Sequence, residues 1–119
     1  MTLSEILEWD REYNQDDVSQ EQMEYYYNYL VADNFKPVIR NNTLFLVKVE
    51  DKVVHYHTMN AAPKKVFVEN LKGFFSAVKS EGYKAAYTNL ENTKLIPFVR
   101  KYFGDSTSVV DDKAITFLN

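Results

Sequence analysis

The hydrophobic periodicity of the chain changes at Phe35, and this change limits the available folds more than any other sequence feature. Apolar residues before it recur at helical spacing, and those after it alternate with polar residues as in β-strands. Capping boxes with Thr2 and Ser19 as caps predict helices over 2–13 and 19–33. The expected inner face of the second helix comprises Met23, Tyr26, Tyr27, Leu30 and Val31.

An antiparallel meander is predicted after the change, with strands over Phe35–Arg40, Thr43–Glu50 and Lys52–Met59. Pro63 then opens the most strongly patterned helix, which stops at Gly82 and should pack on the sheet. Its apolar stripe comprises Phe67, Leu71, Phe74, Phe75 and Val78.

A further strand is predicted over Tyr83–Thr88, with Tyr83, Ala85 and Tyr87 on one side. Because a helix separates it from the strand Lys52–Met59, the two strands are expected to lie nearly parallel through a right-handed crossover. The sheet is therefore predicted to be mixed, with mostly antiparallel pairs.

The last part of the chain is predicted as a helix from Asn92 or Thr93 to Gly104 and a hairpin of Ser106–Val110 and Ala114–Leu118. The whole order indicates an α/β (α+β) class with N-terminal helices, a mixed sheet, a central crossover helix and a C-terminal hairpin. A chain of 119 residues is expected to form one domain, with an acidic helical segment (1–33) and a part that holds the sheet and the crossover helices (34–119).

Charge is distributed unevenly between these two parts. Residues 1–33 hold nine acidic residues against Arg11, a net charge of −8, whereas residues 34–119 carry a net charge of +5. We expect the acidic segment to fold onto the basic remainder, since it also carries apolar residues at helical spacing. The alternative is a partner-binding arm held off the body, as in a small acidic inhibitor of a host factor.

The composition excludes several classes of protein. Without cysteine, the chain has no disulfide, no thiol nucleophile and no thiolate metal site. No apolar run approaches the ~20 residues that a membrane helix needs. Nothing resembling a signal peptide precedes Thr2-Leu3-Ser4, so the expected location is the cytoplasm or a virion assembled there.

Residues 80–104, SEGYKAAYTNLENTKLIPFVRKYFG, resemble the run from the third helix through the fifth strand into the fourth helix of the GCN5-related N-acetyltransferase (GNAT) family. The resemblance extends over residues 20–119 and implies a GNAT-like fold. It also implies acetyl-CoA as cofactor if the chain is an enzyme. Because it is short and its cofactor loop is eroded, the chain also resembles the acetyltransferase-like internal virion proteins of tailed phages. This resemblance implies a structural or interaction role among virion or host proteins.

In the resembled family, a glycine-rich turn before the central helix binds the cofactor pyrophosphate through backbone N–H groups. The matching residues 60–67 contain no glycine, place Pro63 in the turn, and put Val66 and Phe67 where the cofactor approaches closely. The resemblance therefore implies a degraded cradle and no cofactor. If the chain is an enzyme, the expected cofactor contacts are Met59, Lys64, Lys65, Asn89 and Asn92.

The family often uses a tyrosine on its fourth helix as general acid, and the matching residue here is Val99, which transfers no proton. A register shift would recruit Tyr102 as the acid, although Tyr102 fits the apolar stripe of that helix. Both departures favour a protein without catalytic activity.

His55 and His57 lie two residues apart on the third meander strand and are expected to share one face. One branch of the resembled family uses a similarly paired histidine as a base, so an N-acetyltransferase with both residues as base and proton relay is the alternative function. The preferred interpretation is structural, a solvated strand face opposite Val54, Tyr56 and Thr58. A metal site is not expected, since no third histidine exists.

Two surfaces are candidates for partner binding. Tyr25 and Tyr29 lie on the side of the second helix away from its apolar stripe, which suits either a protein interface or the edge of the core. Four lysines of the central helix, Lys64, Lys65, Lys72 and Lys79, invite a nucleic-acid interpretation. The net charge of −3 favours a solvated face instead, so we expect a protein partner, while the oligomeric state stays open.

Overall fold

The computed structural model describes residues 1–13, 18–89, 97, 100–101, 106–110 and 113–118. These residues form α1 (Leu3–Tyr13), α2 (Gln20–Ala32), β1 (Lys36–Arg40), β2 (Thr43–Glu50), β3 (Val53–Asn60), α3 (Lys64–Ser80), β4 (Ala85–Asn89), β5 (Thr107–Val110) and β6 (Lys113–Phe117). The strands make one sheet in the order β1-β2-β3-β4-β6-β5. Since β3 and β4 pair in parallel and the other neighbours antiparallel, the predicted α+β class with a mixed sheet is confirmed.

Local sequence signals set the ends of the helices. In both capping boxes the cap N–H donates to the side chain three residues on, at 3.0 Å for Thr2 to Glu5 Oε1 and 2.8 Å for Ser19 to Gln22 Oε1. The hydroxyls of Thr2 and Ser19 accept the reciprocal N–H bonds. At the other end of α3, Gly82 has φ 94°, a conformation that favours glycine.

The turn between β1 and β2 fixes the register of the meander. Asn41 and Asn42 both have positive φ, 44° and 66°, as a two-residue type I′ hairpin turn requires. Arg40 therefore pairs with Thr43, and both side chains lie on the α3 side of the sheet.

The sheet has a hydrophobic core on each face. On one face α3 packs against the strands, and this cluster comprises Phe45, Val54, Tyr56, Phe67, Leu71, Phe74, Phe75, Val78 and Ala86. On the opposite face α1 and α2 pack, and that cluster comprises Ile6, Leu7, Met23, Leu30, Phe35, Leu44, Leu46 and Met59. The predicted stripe of α3 is thus confirmed, and the strands alternate their side chains between two cores.

The acidic segment folds onto the sheet, as expected, and the interpretation as an arm held off the body is wrong. Ile6 and Leu7 of α1 are 0% and 1% exposed against the second cluster. Apolar contacts carry the association, and the ion pair between Lys48 Nζ and Asp33 Oδ2, at 3.4 Å, joins side chains that stay partly in solvent.

Two details of the predicted elements were wrong. Tyr83 precedes β4 and packs with the α3 cluster, whereas Tyr87 lies on the opposite face, so they do not share a side. Val31 of α2 is 40% exposed, because the helix contacts the sheet through a narrower stripe that includes Met23 and Leu30. Tyr26 is 37% exposed, but its ring lies edge-on to that of His57 at 6.3 Å, so its predicted orientation toward the sheet is confirmed.

The predicted hairpin is confirmed as the antiparallel pair β5–β6, although its connection at 111–112 lies outside the described residues. The predicted helix over 92–104 lies mostly outside them, with Pro97, Arg100 and Lys101 helical.

We expect Ile6→Ala to lower the free energy of unfolding by about 2–5 kcal/mol, because it leaves a cavity in the cluster under α1. Val31→Ala, at an exposed site on α2, is the matched control and should change it by less than about 0.5 kcal/mol. Urea unfolding measures both. Equal midpoints would show that α1 contributes nothing to the core.

Candidate functional site

The turn between β3 and α3, where the cofactor cradle was expected, already uses its backbone donors. The Asn60 N–H donates to Asp10 Oδ1 of α1 at 2.9 Å. The Ala61 N–H donates to the Asn42 carbonyl at 2.9 Å, and the Ala62 N–H to Asn60 Oδ1 at 3.0 Å. Pro63 has no N–H. The four residues of the turn therefore offer no free backbone donor to an incoming anion.

A buried polar network holds this turn in place. Thr43 Oγ1 donates to Asn60 Oδ1 at 2.7 Å and accepts from Asn70 Nδ2 at 2.8 Å. The Asn70 amide also donates to the Asn41 carbonyl at 3.2 Å, and Asn60 Nδ2 donates to the Ala62 carbonyl at 2.9 Å. Thr43 and Asn70 are 0% and 1% exposed, so opening the turn would leave buried polar groups without partners.

The predicted cofactor contacts do not converge on this turn. Met59 is buried in the cluster under α1 and α2, while Lys64 and Lys65 are exposed. Asn89 is half-buried at the end of β4. Asn92, Val99 and Tyr102 lie outside the described residues, so the structure gives no position for the predicted general acid.

The expectation that Phe67 fills the cofactor space is wrong. Its side chain packs into the α3 cluster, 7% exposed, because position 67 falls on the inner face of that helix. What occupies the turn is instead a set of internal hydrogen bonds, one of them to the Asp10 carboxylate.

His55 and His57 share one face, as predicted, but that face is not solvated. Their ring centroids lie 4.9 Å apart, and the Phe35 ring contacts both edge-on at 4.9 and 5.1 Å. The Tyr87 ring stacks on His55 at 4.3 Å with an interplanar angle of 13°. His57 is only 8% exposed, because Phe35 and the N-terminal helices cover this face of the sheet. The pair belongs to an aromatic cluster.

The pKa of His55 is lowered from its ordinary value of 6.5 to about 4. Burial is the main cause, His57, Lys113 and Lys48 add to it, and Glu50 opposes them. Its buried Nε2 has no hydrogen-bond partner among the described residues. A base with so low a pKa accepts a proton poorly at neutral pH, which argues against His55 as a general base.

Tyr87 belongs to the aromatic cluster and lies in the last residue pair between β3 and β4. Its hydroxyl donates to Glu50 Oε2 at 2.8 Å, and burial followed by this bond raises its pKa to about 12. The parallel pairing ends at His55–Tyr87, although β3 continues to Asn60. Beyond it, no further residues of β3 and β4 pair with each other.

The expected orientation of Tyr25 and Tyr29 is confirmed, since they are 74% and 61% exposed on α2. Tyr25 also lines a shallow groove of about 810 Å³ at the start of that helix. On α1, Trp9 is exposed by 52%. Large aromatic side chains that remain in water supply contact area to a partner at low entropic cost.

Several residues that define these sites were not found from the sequence. Asp10 is one of nine acidic residues in 1–33, and no local pattern predicts its contact with Asn60, which lies 50 residues further along the chain. Only one weak sequence feature indicates the roles of Thr43 and Asn70. Both are polar residues at positions where the periodicity of the strand and of the helix predicts a buried side chain.

Among the described residues, no group of three or more His, Asp or Glu side chains is placed to bind a metal ion. In the same part of the chain, every helix is too short or too polar to cross a bilayer.

The low pKa of His55 predicts a pH dependence. Between pH 4 and 6.5 the unfolded chain binds a proton there that the folded chain does not, so stability is full above pH 6.5 and falls toward pH 4. His55→Phe keeps the stacking on Tyr87 without titrating and should flatten this part of the profile. Urea unfolding at several pH values compares the two proteins. An imidazole titration midpoint near 6.5 by NMR would contradict the assignment.

The exposure of the α2 tyrosines predicts that Tyr25→Ser combined with Tyr29→Ser changes the free energy of unfolding by less than about 0.5 kcal/mol. Tyr27→Ser is the control on the same helix and should cost about 2 kcal/mol, because Tyr27 packs against the buried cluster. Thermal and urea unfolding measure both. A large loss from the double variant would make these tyrosines part of the core.

Comparison of the chain with models of known protein families, with curated proteins and with solved structures found no match.

Proposed function

We propose that this chain is a non-catalytic, acetyltransferase-like protein that binds other proteins. The observation that carries the proposal is the state of the β3–α3 turn, whose backbone donors are engaged and whose first N–H is bound by the Asp10 carboxylate. Residues 60–63 do not fit the pyrophosphate of acetyl-CoA, so no acyl-transfer step is derived.

A pyrophosphate site needs several N–H groups that point at the anion and are free to bind it. Here a pyrophosphate would have to displace three internal hydrogen bonds and approach a carboxylate of its own sign. One of the displaced groups is Asn60 Oδ1, which also accepts a hydrogen bond from buried Thr43. Moving Asn60 would therefore also leave the Thr43 hydroxyl without this partner in the core, which costs further free energy.

The order of elements supports the acetyltransferase-like part of the proposal. After the N-terminal helices, a meander, a crossover helix and a strand parallel to β3 follow each other as the resemblance implies.

The histidine pair supports the absence of catalysis. A base and a proton relay need access to substrate, and His57 is buried while His55 lies between Tyr87 and Phe35. Their contacts account for both residues as parts of the aromatic cluster, without a substrate.

The exposed tyrosines of α2 give the protein a surface suited to a partner. The setting in a phage virion comes from the resemblance to internal virion proteins of tailed phages, and it is a matter of analogy. Co-purification of the chain with assembled particles would test that setting.

Isothermal titration with acetyl-CoA tests the proposal. We expect no saturable binding below about 1 mM, because the donors of the turn are engaged. Lys64→Ala with Lys65→Ala is the control for nonspecific attraction of the phosphates to the exposed lysines. Micromolar binding that survives in this control would overturn the proposal and favour the N-acetyltransferase, in which His55→Ala with His57→Ala would abolish transfer.

A further inference from the structure

β1 is the first strand in the sheet order, so one of its edges faces away from the sheet. All five of its residues are exposed, including Val38 by 51% and Ile39 by 49%. β-Branched apolar residues on a bare edge are a template for pairing with another strand.

The backbone of β1 limits how such a strand can pair. Proline is tolerated within a sheet where its missing N–H would point away from the neighbouring strand, which places the backbone of Pro37 on the outer edge. Ile39, two residues on, then also points its N–H and C=O outward. The outer edge therefore offers one donor and two acceptors over these two residues.

The side chains of β1 form a pattern of charge. Lys36, Val38 and Arg40 lie on the α3 side of the sheet, since they pair with Val47, Phe45 and Thr43. Pro37 and Ile39 lie on the other side. Neither Lys36 nor Arg40 forms an ion pair among the described residues. From Lys36 to Arg40, the side chains along β1 are therefore cationic, apolar, apolar, apolar and cationic.

A groove of about 600 Å³ runs along the α3 side of this strand. Its floor includes Phe45, Val47 and Val78, and Val38 lies at its outer side. The Arg40 guanidinium lies over Gly73 of α3, where any Cβ would collide with it. A large apolar side chain placed opposite Val38 can lean into this groove.

A second copy of the chain does not suit the edge. An antiparallel pair of β1 strands centred on Val38 would place Lys36 of one copy opposite Arg40 of the other, twice. Like charges directly opposite one another destabilise a sheet. The same two cations favour a partner with acidic residues at those positions.

We propose that β1 is a docking edge for an extended segment of a partner protein with the pattern acidic, apolar, apolar, apolar, acidic, which adds as an antiparallel seventh strand. The acidic residues lie opposite Lys36 and Arg40, and the central apolar residue lies opposite Val38 and enters the groove. This inference rests on the proposed function as a protein-binding module and names the chemistry of its partner.

A capped peptide with the sequence Glu-Val-Phe-Val-Glu between Gly-Ser flanks is the probe, and as an antiparallel strand centred on Val38 it places its acidic residues opposite Lys36 and Arg40. Fluorescence anisotropy with the full chain measures its affinity. The matched control, Val-Glu-Phe-Glu-Val in the same flanks, has equal composition and charge but moves the acids to the other face. We expect it to bind at least about tenfold more weakly, because two charge pairs are lost.

Charge exchange tests the contact directly. Lys36→Glu with Arg40→Glu should weaken binding of the acidic peptide at least about tenfold, and a Lys-Val-Phe-Val-Lys peptide should recover it. Lys52→Glu with Lys84→Glu makes the same change in net charge at exposed sites away from β1 and should lower the affinity much less. Circular dichroism verifies the fold of each variant, and Lys36→Glu alone leaves the Arg40–Gly73 contact intact.

Methylation of the peptide backbone separates strand addition from simple charge attraction. Methyl groups on the two valine nitrogens, which donate to β1, should weaken binding, whereas a methyl group on the phenylalanine nitrogen should not. Equal binding of the two isomeric peptides would overturn the inference, and so would a dimer that the Lys36→Glu and Arg40→Glu changes dissociate. Either result leaves the proposed absence of acetyl-CoA binding untouched, because that is measured separately.

Discussion

Both faces of the central strands are buried, and this two-sided burial determines the surroundings of each side chain in the sheet. Along β3, alternate side chains enter the α3 cluster and the cluster under α1 and α2. The face left to the histidines is therefore an interior, although a simple reading of alternation assigns it to water. Their low exposure, the stacking on Tyr87 and the low pKa of His55 all follow from the presence of a second layer of helices.

The hydrogen bond between the Asn60 N–H and Asp10 gives the acidic segment a second role besides covering the sheet. It brings a carboxylate to a turn whose remaining donors are satisfied by Asn42 and by the Asn60 side chain. Buried Thr43 and Asn70 extend this hydrogen-bond network. Breaking any one of its bonds would therefore leave a buried polar group without a partner, which costs free energy. The same hydrogen bonds therefore hold the turn rigid and engage its backbone donors.

The sequence predicted features that depend on local chemistry. The two capping boxes, the stop at Gly82 and the crossover between β3 and β4 all depend on nearby residues or on general rules of chain connection. The partners of Asp10 and the cover over His57 could not be predicted, because they depend on how α1 and α2 dock across the sheet. Tyr83 was misplaced for a related reason, since strand alternation was extended two residues before β4 begins.

The type I′ turn at Asn41-Asn42 has a consequence for the order in which the chain folds. It joins β1 and β2 over two residues, and β2 meets β3 across a similarly short connection, so these pairings have low contact order. The pairing of β4 with β3 must wait until the 17-residue helix α3 has closed a much larger loop. The meander is therefore expected to be the nucleus on which the helices and the C-terminal strands condense.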